Sequence, residues 1–298
     1  MPLFQVELIT KSGKRVVDRK YHANATATST FQVEGIDAVA VQRVVDTLYQ
    51  TFISDLTAAG YQIVSPAEAE ASEAWRKLKA SVKPSPFTSE TGDDGSSIFF
   101  GPSEAGVYVG AGDERLMDSG IAGIASFGNV ASQASSEFYA TKELQAALLS
   151  LELSVAFVDI STSGGGKFSN IFGTGEASVK GKALMQIVPD RSRLWFHQYP
   201  GADKGKQELA LEAVVHPASN PVTDTRDITS RASKLGDAAG TALGILTGTG
   251  GSYSTKTFEV TVDPQALSTA LDASLSGISA AAVKELTELP SAAPGKKR

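Results

Sequence analysis

Residues 31–79 read FQVEGIDAVAVQRVVDTLYQTFISDLTAAGYQIVSPAEAEASEAWRKLK, and this stretch decides the fold. Phe31-Gln32-Val33 is a short extended run. Val41, Val44, Val45, Leu48, Phe52 and Leu56 then recur at steps of three and four, which places one apolar face on an α-helix. Asp37 is positioned to cap that helix, and Gly60 to end it as the C′ residue. Tyr61-Gln62-Ile63-Val64 reads as a second strand. Ser65-Pro66-Ala67-Glu68 has serine at the N-cap, proline at N1 and glutamate at N3, a capping box that opens a second helix running to about Leu78. The unit is expected as strand, helix, strand, helix.

Working outward, Phe4, Val6 and Leu8 alternate with Gln5, Glu7 and Ile9, Ser12-Gly13 reads as a turn into Arg15-Val16-Val17, and the Ala- and Thr-rich stretch Ala23 to Val33 reads as extended. Residues 80–136 read as a loop or insertion. Pro84, Pro86, Gly92, Asp93, Asp94 and Gly95 punctuate it, with short strands at Ser97 to Phe100 and Val107 to Val109. Gly110 to Ser136, rich in Gly, Ala and Ser, packs little apolar surface. Thr141 to Leu149 has helical character with Thr141 as its N-cap. Residues 149–262 read mainly as strands, at Leu149 to Ile160, Glu176 to Val188, Arg193 to Gln198, Gln207 to Val215 and Ser252 to Val262. The first four have the spacing of an antiparallel meander. Residues 225–248 read as helix or loop. Asp263-Pro264 opens a last helix over 263–289, with Leu267, Leu271, Leu275, Ile278, Val283 and Leu286 on its apolar face, and 290–298 reads as a disordered tail. The whole, residues 1–298, is expected as a single α+β domain. It has an antiparallel or mixed sheet, helices packed on one side and a Gly/Ala/Ser-rich insertion.

Composition narrows the function classes. The 298 residues are 42% hydrophobic and 20% charged, which excludes a wholly disordered chain. A net charge of -6 argues against nucleic acid as a partner, because such binding needs clustered cations. With no cysteine, the chain holds no disulfide, thiolate metal site or Cys nucleophile. No run of 18 apolar residues reads as a membrane-spanning helix. The start, Met1-Pro2-Leu3-Phe4-Gln5-Val6-Glu7, does not read as a signal peptide. The chain reads as cytoplasmic, or as a mature exported protein whose signal was replaced by Met1. Absence of cysteine leans towards export.

No chemical motif stands out. Gly166-Lys167 is followed by Phe168 and Gly181-Lys182 by Ala183, so neither supplies the hydroxyl a phosphate loop needs. His22, His197 and His216 lie far apart in strand-like regions, where histidines are mostly packed or surface residues. Asp93-Asp94 and Asp113-Glu114 read as solvated turn residues with a weak calcium option, and Asp159 as a turn former. Gly236, Gly240, Gly244 and Gly248 recur every four residues, either as a smooth helix stripe or as a glycine-rich loop. No residue is assigned a catalytic, cofactor-binding or metal-binding role, and no cofactor is expected.

The unit at 31–79, with Phe31-Gln32-Val33, the Val41-to-Leu56 helix, Ala59-Gly60-Tyr61-Gln62-Ile63-Val64 and Ala67-Glu68 opening the second helix, resembles the α/β domain of the curli secretion channel family. The same domain begins the TolB-like periplasmic proteins. Leu151 to Ile160 and Ala177 to Val188 resemble the family's central antiparallel strands. The resemblance implies a ring-forming envelope protein of Gram-negative bacteria, whose subunits each donate β-hairpins to one barrel. Candidate hairpins are Ser97 to Val109 and the strands flanking Gly164 to Gly175. The expectation is a non-enzymatic, cyclic homo-oligomer in the periplasm or outer membrane, an export channel or pore with a protein cargo. Alternatives are a soluble periplasmic partner-binding or assembly module, and a hydrolase whose site assembles only in the fold.

Overall fold

The computed structural model describes residues 3–20, 23–91, 95–108, 134–164, 177–199, 206–246 and 251–289. Its centre is β1 (Leu3–Lys20), 18 residues long. The first half of β1 pairs in parallel with β5 (Leu148–Gly164), where Val6 opposes Leu153, and antiparallel with β4 (Gly95–Phe100), where Val6 opposes Phe100. The second half pairs with β2 (Ala23–Glu34), Lys11 opposing Gln32 in β2 and Ser96 in β4. A strand has two edges, so β5 and β2 share one edge of β1 and β4 takes the other. The Ser12-Gly13 turn expected from sequence is absent. Gly13 lies in the ladder opposite Thr30, because pairing with the whole of β2 outweighs a local turn preference.

Outward from β5 lie β6 (Ala177–Ile187) and β7 (Arg193–His197), on its same edge and in line, separated by the 3-10 turn Pro189–Arg191. Edge strand β8 (Lys206–Ala210) pairs with β7. Outward from β2 lie β10 (Gly251–Val262), parallel to it, and then edge strand β9 (Val222–Asp227). β3 (Phe87–Thr91) borders β4. The result is an open, mixed ten-stranded sheet with the main path β8-β7-β5-β1-β2-β10-β9. Three expectations shift here. β3 is a strand paired with β4 where a loop was expected, since Phe87 is the single apolar residue in β3, while β4 falls on the short strand expected at Ser97 to Phe100. Asp159 sits mid-strand opposite Lys182 rather than in a turn. Ser97–Phe100 is internal to the sheet, with Phe99 and Phe100 buried, and is not a free membrane strand.

The two long helices lie on one face. α1 (Ala38–Ala58) buries Val41, Val45, Leu48, Tyr49, Phe52 and Leu56. They meet Phe4, Val6 and Leu8 of β1, Leu151, Leu153 and Val155 of β5, and Leu267, Leu271 and Leu275 of α6 (Pro264–Glu288) in one continuous core. Asp37 caps α1 as expected, its Oδ1 accepting from the N–H groups of Val39 and Ala40 at 3.0 and 3.1 Å. Gly60 at φ +92° ends it. α6 is long and apolar enough to cross a membrane, yet its leucines serve this core.

Residues 61–64 are not a strand of the sheet. Tyr61 and Ile63 anchor the segment by packing on the core, and the Tyr61 hydroxyl donates to the Leu286 carbonyl at 3.3 Å. The helix expected after them divides into α2 (Pro66–Ala69) and α3 (Glu73–Ala80), because Ser72 starts a new cap by accepting from Trp75 N–H. The Ser65/Glu68 capping box forms as expected. α4 spans residues 134–144, so Thr141 lies inside it rather than at its start, and its hydroxyl donates to the Glu137 carbonyl. α2, α3 and α4 pack with Leu3, Leu148 and Trp195, which alternate with core residues and so belong to the opposite sheet face. α5 (Arg231–Leu246) resolves the helix-or-loop stretch as helix.

The second half of β5 carries β6 across β2, where Gly181 faces Phe31, whose ring stacks on Phe258. A Cβ on Gly181 would lie 2.2 Å from Phe31 Cζ and 2.9 Å from Val158 Cγ1. Gly181→Ala is expected to destabilise by about 1–3 kcal/mol through overpacking, and Phe52→Ala by about 3–5 kcal/mol through the cavity it leaves. Gly277→Ala, where a Cβ meets nothing within 4 Å on a helix, is expected to stabilise by about 0.5–1 kcal/mol. Denaturant melts of the three variants check all three signs.

Candidate functional site

Alternation along β1, β5 and β7 leaves a second row of side chains pointing away from α1 and α6. Gln5, Glu7, Ser150, Glu152, Ser154, Trp195 and His197 form it, and all are buried. Burying a carboxylate is costly unless donors replace its water. Each glutamate here has at least two. Glu7, 1% exposed, accepts from Ser97 Oγ at 2.8 Å, Ser154 Oγ at 2.5 Å and the Arg191 guanidinium at 3.2 Å. Glu152 accepts from Arg193 Nε at 3.0 Å and Trp195 Nε1 at 2.5 Å. The third glutamate, Glu137, comes from α4. It accepts from the Tyr108 hydroxyl at 2.7 Å and lies 3.2 Å from His197 Nε2.

These donors come from β4, β5, β7, the 3-10 turn and the segment after β4, so each carboxylate ties together elements distant in sequence. Not every polar atom is matched. Both amide atoms of Gln5 and His197 Nδ1 are buried without a hydrogen-bond partner among the described residues. A histidine beside a carboxylate is the ordinary wiring of a general base. Here Glu137 is 1% exposed and the His197 side chain 8%, so the pair is sealed from solvent and acts as a tie between α4 and β7.

A second cluster sits where α2 and α3 meet α4. Glu68, Ser72, Glu143 and Leu144 line a pocket of about 450 Å³. Glu143 Oε2 accepts from Ser72 Oγ at 2.8 Å and Ala74 N–H at 3.3 Å, so α4 caps the start of α3. The Ser72 hydroxyl, and then the Ala74 N–H, hold the Glu143 carboxyl below its ordinary range. The Ser65 hydroxyl and N–H do the same to Glu68. On the other face, burial and then the negative charge of Glu104 push the Tyr49 phenol up to about 12.

Of the residues singled out in sequence, His197 meets a carboxylate and His216 is exposed after β8. His22, Asp93-Asp94, Asp113-Glu114, Gly166-Lys167-Phe168 and Gly248 lie outside the described residues. Gly181-Lys182-Ala183 is strand β6, and Gly236 and Gly240 are helical. Among the described residues no group of three or more His, Asp or Glu could hold a metal ion. Sequence reasoning missed Glu7 and Glu152, because polar residues at alternate strand positions read as a solvent face, and Glu137, because it precedes the helical stretch read at Thr141 to Leu149.

Glu137→Ala is expected to cost at least about 2 kcal/mol, since it removes the buried acceptor of the Tyr108 hydroxyl and the partner of His197 Nε2, whereas Tyr108→Phe costs about 1 kcal/mol. Chemical unfolding of both variants checks the order. Glu68 and Glu143 hold their protons less tightly folded than unfolded. Their stabilisation is therefore complete above the unfolded value of 4.5 and is lost as pH falls through the lower folded value. Thermal melts from pH 7 down to 3 are expected to show this acid limb, and Glu143→Gln to flatten it.

Comparison of this chain with protein-family models, with curated proteins and with solved structures gives no match.

Proposed function

We propose that this chain is a non-enzymatic, ring-forming protein of the Gram-negative cell envelope, working as an export channel or pore in the outer membrane or from the periplasm. One observation carries the reading: the ten-stranded sheet is open. Among the described strands its end strands, β8 and β9, each pair on one side, and β9 leaves Thr223 to Asp227 exposed. Unpaired edges recruit further chains unless they are protected. A head-to-tail contact between unlike surfaces closes into a ring when its rotation divides a full turn. The resemblance of residues 31–79 to the curli secretion channel domain supports the same reading, although residues 61–64 are not a strand of the sheet. Membrane contact would fall to the long β5–β6 pair, since β4 is internal. The Gly110-to-Ser136 insertion lies outside the described residues up to residue 133.

Among the described residues the His197–Glu137 pair favours the hydrolase reading, and its burial opposes it. Light scattering coupled to size exclusion, in buffer and in detergent, is expected to give a cyclic oligomer, visible as rings in electron micrographs. A monomer at micromolar concentration in both media would move the soluble periplasmic partner-binding module to first place. Replacing His22, His197 and His216 together with Gln is expected to leave the oligomeric mass unchanged. A hydrolytic activity that this triple variant loses would make the protein an enzyme.

A further inference from the structure

Two surfaces at opposite ends of the sheet complement each other. The first is α5. It lies on β10 through Asp237, whose carboxylate accepts from Thr255 N–H and Oγ1 at 2.6 and 3.0 Å, and through Gly240, where a Cβ would come 3.1 Å from the Tyr253 ring. No residue from 231 to 243 is buried, and Leu235 is 71% exposed. An amphipathic surface helix normally sinks its leucines into the core. α5 holds Leu235 out to solvent and carries Arg231 and Lys234 in its first turn.

The second surface is a groove of about 890 Å³ between α6 and the β7–β8 edge. Leu209, Leu211 and Ile278 give it an apolar lining, and Ala273, Gly277 and Ala281 form one wall. Gly277 faces open space, with nothing within 4 Å of where its Cβ would be. Small residues at i, i+4 and i+8 let another helix approach closely. The rim carries Glu208, Glu212 and Glu285 against Arg193 and His216.

We infer that the groove receives α5 of a second copy of this chain, with Leu235 over the apolar lining and Arg231 towards Glu212 and Glu285, Lys234 being paired with Asp227 at 3.9 Å and Glu208 with Arg193 at 3.6 Å within each chain. The contact joins unlike surfaces. β8 ends the sheet on the groove side, and β10, under α5, is one strand from the other end, so every copy keeps one surface of each kind for the next neighbour. This inference rests on the ring reading and names its contact. Both surfaces are exposed, so blocking them leaves the folded chain intact.

The test uses two variants of the full chain. Leu235→Glu charges the helix, and Gly277→Trp fills the groove. Each is checked against the wild-type melt, with Ala239→Glu and Ala281→Glu replacing any variant that melts early. Each variant alone is expected to fall to the 31.1 kDa monomer by light scattering. An equimolar mixture of the two is expected to give dimers and nothing larger, because one helix and one groove remain usable between them. If the wild type is oligomeric and both variants keep its mass, this contact is wrong and the ring stands. If the variants are monomeric and their mixture stays so, the two surfaces do not meet each other, and the inference fails. A monomeric wild type sinks both the ring and the contact.

Discussion

The structure depends on one strand being bonded along its whole length. β1 has 18 residues, and three partners divide its two edges. Its first half is hemmed between β5 and β4, and its second half continues into β2. Because β5 and β2 bond the same edge one after the other, β5 has to leave the edge where β2 takes over. β5 leaves with β6 attached, and that pair crosses β2 at the Gly181–Phe31 contact. The open ten-stranded order follows from this handover, since β2 goes on to β10 and β9 while β5 goes on to β7 and β8.

A strand covered on both faces cannot use the usual division into a dry side and a wet side. On the α1 and α6 side, β1, β5 and β7 present Phe4, Val6, Leu8, Leu151, Leu153, Leu194 and Phe196. On the other side the same strands present Gln5, Glu7, Ser150, Glu152 and Ser154, also buried. A one-residue slip of β1 would drive Glu7 into the apolar core and lift Val6 out of it. The carboxylates thus make any wrong register expensive, while their donors make the right one tolerable. Arg191 and Arg193 reach them from partly exposed positions, which keeps the guanidinium groups in contact with water and lowers the cost of burying the pairs.

The α1 helix, its Asp37 cap, the Ser65 capping box, the α6 stripe and most strands could be read directly from the chain, because each rests on periodicity or on cap chemistry within a few residues. What could not be read depends on distant partners. Ser12-Gly13 looks like a turn until β2 runs alongside it. Tyr61 to Val64 looks like a strand, but its apolar residues are held by core packing and it is not a strand of the sheet. Phe87 to Thr91 lacks the apolar alternation of a strand and is made one by β4. The polar row was hidden for a related reason. Glu7 and Glu152 carry the pattern of an exposed face, and only α4, the 3-10 turn and β4, brought in from elsewhere in the chain, turn that face into an interior.

Burial is uneven along the sheet. The continuous core is concentrated around β1, β5, α1 and α6, and the Glu7, Glu152 and Glu137 ties lie in the same middle portion. Towards the ends burial falls away. α5 sinks nothing from residues 231 to 243, and β9 is mostly exposed. The groove beside β8 is walled by Ala273, Gly277 and Ala281, whose side chains are too small to fill it. Removal of apolar surface from water is the main driving force of folding, so residues that contribute none are free to change without loss of the fold. Side chains such as Leu235 therefore contribute little to the folded chain by itself, and their apolar surface is available for contact with another.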